Sequence, residues 1–515
     1  MVPLLVAASA CIISRGVQVD RLAQPSAEGD TVVVRSAVKV HLIDGSTVLF
    51  RKGLHVARDT AWGSGVRYGL MLRDSSSVDG LPLDSVVGME SYRTIVNPGR
   101  SLLYSVLATA AAGGAAIAIA CAADPKCFGS CPTFYADSAG TLVLEAEGFS
   151  YSIAKLFEAR DVDRLRFAPG ADGIVRLEVR NEAFETHFIN HLELLEVRHG
   201  PDEIAVPDER NQPFVLAQVA PPMRAVNRNG QDVRSRLRSA DGDAYRTPAP
   251  ALKRARPGDT DDWIDLAVAA PSGSDSIALL FRLRNSLLNT ILLYDIMLGD
   301  PGARSLDWVG HDLEQVGPAV ELAQWYQRRM GMDVAVLDKG IWRPVAHLKD
   351  TGPVAWKDVA IAVPVLGVPT VRIRLTFPAD NWRIDRLAIA GRFRRLHGGS
   401  IIHRLNSAID VAERVDTAAT ATMSAADERY LELASGQRFT AEFRPGAAVG
   451  DSARTFFLAS QGYYTEWVRN AWLRTPRADR AFTPSDTVLA EAIRRWRVTQ
   501  DTLEARFMAT RVPVR

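Results

Sequence analysis

Apolar and polar positions alternate with a period of two over much of this chain, so strands dominate the expected structure. In TVVVRSAVKVHLIDGSTVLF (31–50) two β-branched runs appear, and the Asp44-Gly45 step between VHLI and TVLF predicts a hairpin. Further short strands are expected at 68–73 and 86–92, which together predict a small barrel or sandwich. The stretch IVRLEVRNEAFETHFINHLELLEVRH (174–199) alternates over two long runs, as antiparallel strands do when one face is buried. SIALLFRLRNSLL (276–288) reads as a buried strand, and HDLEQVGPAVELAQWYQRRM (311–330) has the spacing of a helix. DVAVLD, WRPVAHL, VAIAVPV, VRIRLTF and RIDRLAIAG then follow at the short intervals typical of a β-sandwich. From 401 to 515 more short strands are expected, with a helix near 484–506. No repeat of fixed period is present.

Two segments break this pattern by being continuously apolar. The chain opens MVPLLVAASAC, an apolar run ending in small residues before a cysteine, as in a lipoprotein signal. Small residues admit the peptidase, and the Cys11 thiol would accept the lipid that anchors the mature protein. No positive charge precedes the run, and Ala8 stands where a leucine is usual. An ordinary signal peptide or N-terminal anchor, and a packed strand, are the other readings. Residues 101–123, SLLYSVLATAAAGGAAIAIACAA, carry no charge and are long enough to cross about 30 Å of hydrocarbon. Their Ala and Gly content makes insertion marginal, so a small-residue helix buried between domains is the alternative. These features divide the chain into a signal or anchor (1–14), a small β-barrel (15–97), a hydrophobic, transmembrane-like helix (98–123) and a β domain (124–245). A Pro-rich, charged linker (246–262), a β-sandwich (263–400) and a β-rich C-terminal domain (401–515) follow. The expected fold class is mainly β and multidomain, with jelly-roll-like sandwiches.

Composition narrows the partners. Of 515 residues, 47% are hydrophobic and 23% charged, which excludes wholesale disorder and a polytopic membrane protein. Lys plus Arg (61) balance Asp plus Glu (60), a net charge of +1 that gives no electrostatic reason to expect nucleic acid. Cys121, Cys127 and Cys131 crowd together, too few for a closed four-cysteine zinc site. In an oxidising compartment a local disulfide among them is one reading, and packed thiols the other.

Several segments resemble a family of uncharacterised bacterial envelope proteins, often lipoproteins, marked by a Cys-Pro-x-x-Tyr motif after a hydrophobic segment. Here the motif is Cys131-Pro132-Thr133-Phe134-Tyr135, followed by Leu142-Val143-Leu144-Glu145-Ala146-Glu147-Gly148. RNEAFETHFINHLELLEV, LRNSLL (283–288), TGPVAWKDVAI (351–361), RIDRLAIAG after Trp382, PLDSVVGME and the C-terminal RTFFLASQGYYTEW are similar as well, with Thr465 departing before Glu466. The resemblance implies a fold and a location, the extracytoplasmic side of the envelope, and transfers no activity.

Motifs with chemistry are sparse. Ser152-x-x-Lys155 matches the serine acylase pattern without its companion motifs. His187 and His191 stand four apart, a spacing that puts both on one face of a helix or strand, without an intervening metalloprotease glutamate. Glu145 and Glu147 share a strand face if 142–148 is a strand, and Asp259, Asp261 and Asp262 lack the EF-hand spacing. Gly63, Gly65 and Gly69 form a turn cluster without the helix that phosphate binding needs. Each is more simply read as packed or solvated structure. Of ten tryptophans, Trp308, Trp325, Trp342, Trp356 and Trp382 fall near or within the expected sandwich, where an exposed ring can stack on sugar. The resulting expectation is a non-enzymatic, membrane-anchored extracytoplasmic protein that scaffolds or contacts envelope proteins or a membrane protein complex. The alternative binds glycans, with Trp382 and Asp385 as candidate ligand contacts. No cofactor or metal is expected.

Overall fold

The computed structural model describes residues 31–92 and 131–509, apart from 58, 70–74, 139, 168, 171, 397–398, 447–451 and 475–481, together with Val514. Cys11, Cys121, Cys127 and the 101–123 segment lie outside the described residues, so the lipidation site, the disulfide and the hydrophobic helix do too. Among the described residues no helix is long and apolar enough to cross a membrane.

The fold is mainly β, and every pairing between named strands is antiparallel. The expected hairpin forms: Val38–Leu42 pairs with Thr47–Phe50, and Gly45 takes the left-handed φ of 80° in the turn. These strands belong to an eight-stranded, half-barrel-like sheet in order Val32–Val34, Leu54–Val56, Thr60–Tyr68, Thr47–Phe50, Val38–Leu42, Val86–Ser91, Val468–Arg469, with Ser75–Pro82 also on Thr60–Tyr68. Its last strand comes from the far end of the chain.

Four further sheets form two sandwiches. Sheet I runs Val415–Asp416, Ser407–Ile409, Arg438–Phe443, Val175–Arg180, Thr133–Ser138, Thr141–Glu147. Sheet II runs Ala159–Arg164, Ala453–Glu466, Glu185–His199, Ile401–Arg404, with Leu431–Leu433 beside Glu185–His199. Phe134, Leu177, Leu192, Leu194 and Phe439 fill the core between them. Sheet III (Ile204–Pro207, Pro213–Ala220, Trp382–Arg395, Ser276–Asn285, Lys357–Pro364) packs on sheet IV (Arg224–Asn227, Asp261–Ala269, Thr370–Pro378, Met332–Asp338, Ile341–Leu348). Ile264, Leu279, Phe281, Val334, Ile373 and Trp382 fill that core.

The sandwiches also touch each other. Leu195, Val197 and Phe457 of sheet II meet Ala205 and Val215 of sheet III. In Glu185–His199, Leu192 and Leu194 therefore serve one core while Leu195 and Val197 serve the other. The same logic explains the run SIALLF: Leu279 and Phe281 enter one core, Ala278 and Leu280 the opposite one. Burial on both faces replaces alternation by a continuous apolar run, at roughly 1.5–3 kcal/mol for each large side chain enclosed.

Strand pairing runs across the boundaries drawn from the sequence. The second sandwich spans Ile204 to Arg395 and is inserted between the two halves of the first. The expected linker, 246–262, holds the short helix Ala249–Arg254 and the start of strand Asp261–Ala269. The buried strand ends at Asn285, where the Ser286 hydroxyl accepts from Leu288 N at 3.1 Å and opens a helical layer. The helix expected at 311–330 begins at Val316, with Pro318 tolerated in its first turn. The C-terminal helix Asp486–Ala509 buries Leu489, Ile493, Trp496, Leu503 and Phe507 on one stripe against this layer.

Candidate functional site

The helical layer meets the sandwiches around a cavity of about 120 Å³. Its first wall is unusual backbone. After Leu288–Thr290 the chain widens into a nine-residue π-helix, Ile291–Gly299, whose i→i+5 geometry is seen in Asp300 N donating to Asp295 O at 2.8 Å. Such helices are rare and gather at functional sites. Leu293, Tyr294 and Met297 from this stretch, with Asn289 just before it, line the cavity. Helix Val316–Met330 adds Tyr326, the segment after Ile341–Leu348 adds Asp350, and the loops and strands of the first sandwich add Ser150, Tyr151 and Tyr464.

Asp350 is the most constrained of these groups. Its carboxylate accepts the Tyr326 hydroxyl and Asn289 Nδ2 (2.5 Å) on the same oxygen. Burial raises its pKa to about 6 against the hydrogen bonds from Tyr326, Gly352 and Thr351. Among the described residues no Lys, Arg or His forms an ion pair with it. His347 donates through Nδ1 to Asp333 Oδ1 at 2.7 Å, and its Nε2 accepts in the neutral ring and donates in the charged one. That Nε2, Asn289 Oδ1 and Ser150 Oγ are buried without a protein partner among the described residues. The cavity thus combines tyrosine rings with several unsatisfied polar atoms, the composition expected of a small-molecule site.

The loop carrying Asp350 is tied down from both sides. Glu147, at the end of strand Thr141–Glu147, accepts Val354 N (2.7 Å) and Ala355 N (3.0 Å) through one oxygen. Asn285 Oδ1 accepts Thr351 N (2.7 Å) and the Thr351 hydroxyl, while Asn285 N donates to Gly352 O. Gly352 takes a φ of 88°, and a Cβ there would lie 2.7 Å from the Glu147 carboxyl. Gly352→Ala is therefore expected to displace the loop and cost about 2 kcal/mol, read as a lowered urea midpoint.

Behind this wall lies a fully buried group of acids. Glu185 and His187 share a hydrogen bond of 2.5 Å, and Arg469 Nη2 donates to Glu466 Oε1 at 3.0 Å. Burial pushes Glu185 up to about 7, Glu466 well above its usual range, and His187 down to about 3. Cys131 is buried beside them with its thiol pushed up, the opposite of a reactive cysteine. Pro132 O accepts Gly148 N at 3.0 Å and the Tyr135 hydroxyl donates to Glu182 at 2.6 Å, so Cys131, Pro132 and Tyr135 open and fasten the strand Thr133–Ser138.

Other residues singled out on the sequence fall elsewhere. Trp382 is fully enclosed in the second sandwich, and Asp385 is buried, ion-paired with Arg282 at 3.0 Å and accepting Gly242 N at 2.7 Å. Neither presents a face to a ligand, because strand Trp382–Arg395 packs on both sides. A β-bulge between Ile189 and His191 lets Ile189 and Leu192 reach the same core, which turns His191 away from the face of His187. Lys155 ion-pairs with Glu428 at 2.6 Å, while Ser152 is buried. Glu145 accepts Arg166 N at 2.6 Å, so the two glutamates hold different segments. Asp259 pairs with Arg228, Asp261 with Arg329, and Asp262 accepts Tyr245 and Thr247 hydroxyls.

No family model and no curated protein matches this chain. Among solved structures, a GH31 alpha-xylosidase from Xanthomonas citri aligns over 85% of this chain and 38% of its own, at 9% identity and a TM-score of 0.16. An allantoicase aligns over 51% of this chain and 91% of its own, at 12% identity and a TM-score of 0.15. Likeness at that level says nothing about the site. Asp350, Tyr326 and Asn289 were not singled out on the sequence. The available signal was a charged residue next to Thr351-Gly352-Pro353 at a strand end, a place where rigid frameworks carry function on loops.

Proposed function

We propose that this chain is a membrane-anchored, extracytoplasmic binding protein of the bacterial envelope, without enzymatic activity, that contacts other envelope components. The observation that carries the binding role is the cavity around Asp350, assembled from distant segments of the chain beside a π-helix. Four stretches picked out on the sequence by their resemblance lie at or against it: 142–148, 283–288, 351–361 and 454–467, through Glu147, Asn285, Gly352 and Tyr464. Attachment is supported by the apolar run ending in Cys11 and by the uncharged residues 101–123. The carbohydrate reading loses its basis in Trp382, whose ring is enclosed.

Cell fractionation with palmitate labelling tests the attachment. Wild type is expected in the membrane fraction, Cys11→Ala to lose the label, and deletion of 101–123 to release the protein only if Cys11 carries no lipid. Full solubility of the wild type sinks both anchors.

A further inference from the structure

We propose that the cavity binds a small organic cation, an alkylammonium group with a body no larger than a six-membered ring, with the Asp350 carboxylate as its counter-ion. This rests on the binding role proposed above and adds the class of ligand. Three features of the walls converge on it.

The first is the demand of the unsatisfied atoms. Asp350 lies at the cavity with no ion-pair partner among the described residues, and the bonds from Tyr326 and Asn289 fix its orientation. Asn289 Oδ1 can only accept, and His347 Nε2 accepts whenever the ring is neutral, since Nδ1 faces Asp333. Ser150 Oγ can do either. A ligand that satisfies this set supplies donors, and a carboxylate enclosed without a counter-ion favours a donor that carries positive charge.

The second is the field. Lys349, the lysine at the cavity, is exposed. Behind the Tyr151 wall, the Lys357 ammonium is engaged by Asp161 and Asp163, and burial beside Asp161 pushes Asp163 up to about 7, so the positive charge on that side is already matched. An anion would enter against Asp350.

The third is the lining and its size. Tyr151, Tyr294, Tyr326 and Tyr464 contribute aromatic rings, whose negative faces attract ammonium groups. Tyr294 already holds one cation in this way, with the Arg469 guanidinium 4.5 Å from its ring centre. The volume is close to that of an engineered apolar cavity of roughly 150 Å³ that takes up benzene, so the ligand body is of that order.

Titration calorimetry of the full chain with cyclohexylammonium and tetramethylammonium tests the proposal, with cyclohexanol, cyclohexanecarboxylate and glucose as controls. Heat is expected with one or both cations, and affinity at least about tenfold weaker in Asp350→Asn, whose melting is followed in parallel. Ala323→Trp blocks the cavity from helix Val316–Met330 without touching Asp350, and is expected to abolish the heat in a protein that melts like wild type. Binding of cyclohexanol or glucose as tight as that of the cations overturns the ligand class and leaves the binding role standing. Silence from every compound at about 10 mM, near the weak end of specific binding, overturns both.

Discussion

Trp496→Ala is expected to destabilise the protein by about 4 kcal/mol, the range for removing a large buried aromatic ring. Trp496 is fully buried in the middle of helix Asp486–Ala509, where it packs in the same core as Leu292, Leu322 and Trp325. Its indole N–H donates to Asp380 Oδ2 at 2.8 Å, and Asp380 in turn holds Arg383 at 2.7 Å. Arg383 reaches back to Glu504 on the same helix at 2.8 Å. The ring therefore fills space and also closes a buried polar circuit between the C-terminal helix and the second sandwich. Trp496→Phe separates the two contributions: it keeps most of the volume, loses the donor, and is expected to cost about 1–2 kcal/mol. Urea unfolding followed by circular dichroism gives both values. Equal losses in the two variants would mean that the hydrogen bond, and not the packing, fixes the helix.

Glu90→Ala is expected to cost about 3–5 kcal/mol, because it strands a buried cation. Lys39 Nζ lies 2.7 Å from Glu90 Oε1 and His41 Nε2 lies 3.0 Å from the same oxygen, with all three residues buried. The other oxygen accepts the Thr186 hydroxyl at 2.7 Å, and that hydroxyl accepts the Trp467 indole N–H at 3.0 Å. Trp467 stacks on His41 with ring centres 3.7 Å apart. The network bolts the N-terminal sheet to the first sandwich. Burial alone would raise the Glu90 pKa, but the Lys39 charge and the His41 hydrogen bond outweigh it and hold the carboxyl at about 2, against 4.5 when free. A depressed carboxylate stabilises the fold fully above 4.5 and loses that contribution as pH falls from 4.5 to 2. The gap in stability between wild type and Glu90→Ala should therefore narrow over that window. A gap constant down to pH 2 would mean that the carboxylate's charge does not matter there.

Glu185 runs the other way. Raised to about 7, it binds its proton more tightly in the folded state, so its contribution is present below 4.5 and is lost as pH rises towards 7. His187, lowered to about 3 by burial, contributes fully above 6.5, and that contribution is lost as pH falls from 6.5 to 3, because the unfolded chain takes up the proton first.

How much of this was legible depended on whether the cause was local. The Asp44-Gly45 turn and the stripe Leu489, Ile493, Trp496 are local and could be read from the chain. The strand Ser276–Asn285 was readable as buried because both faces are apolar, although its end at Asn285 was not, because the apolar run continues through Leu287 and Leu288 into the helical layer. The bulge at Ile189–His191 was not legible: nothing in FINHL marks the residue that slips, so the two histidines counted as one face. Trp382 illustrates a different limit. Its burial depends on a second sheet covering its face, and composition does not distinguish a covered tryptophan from an exposed one. The candidate site had the weakest signal. Asn289, Tyr326 and Asp350 are unremarkable where they stand, and only the packing of the π-helix against the sandwiches brings them together.

Strand Val468–Arg469, which completes the sheet beside Val86–Ser91, sets a timetable for the nascent chain. As synthesis proceeds, both sandwiches must be laid down before the partner of Val86–Ser91 is available, and Val175–Arg180 likewise waits for Arg438–Phe443. Contacts of such sequence separation form late, because a long loop must close before they return any energy. Until then Val86–Ser91 offers its backbone donors and acceptors to any other strand nearby, including one from another chain. The arrangement ties completion of the first sheet to translation as far as Arg469, so a ribosome that stops short of residue 468 releases a chain with an open, adhesive edge.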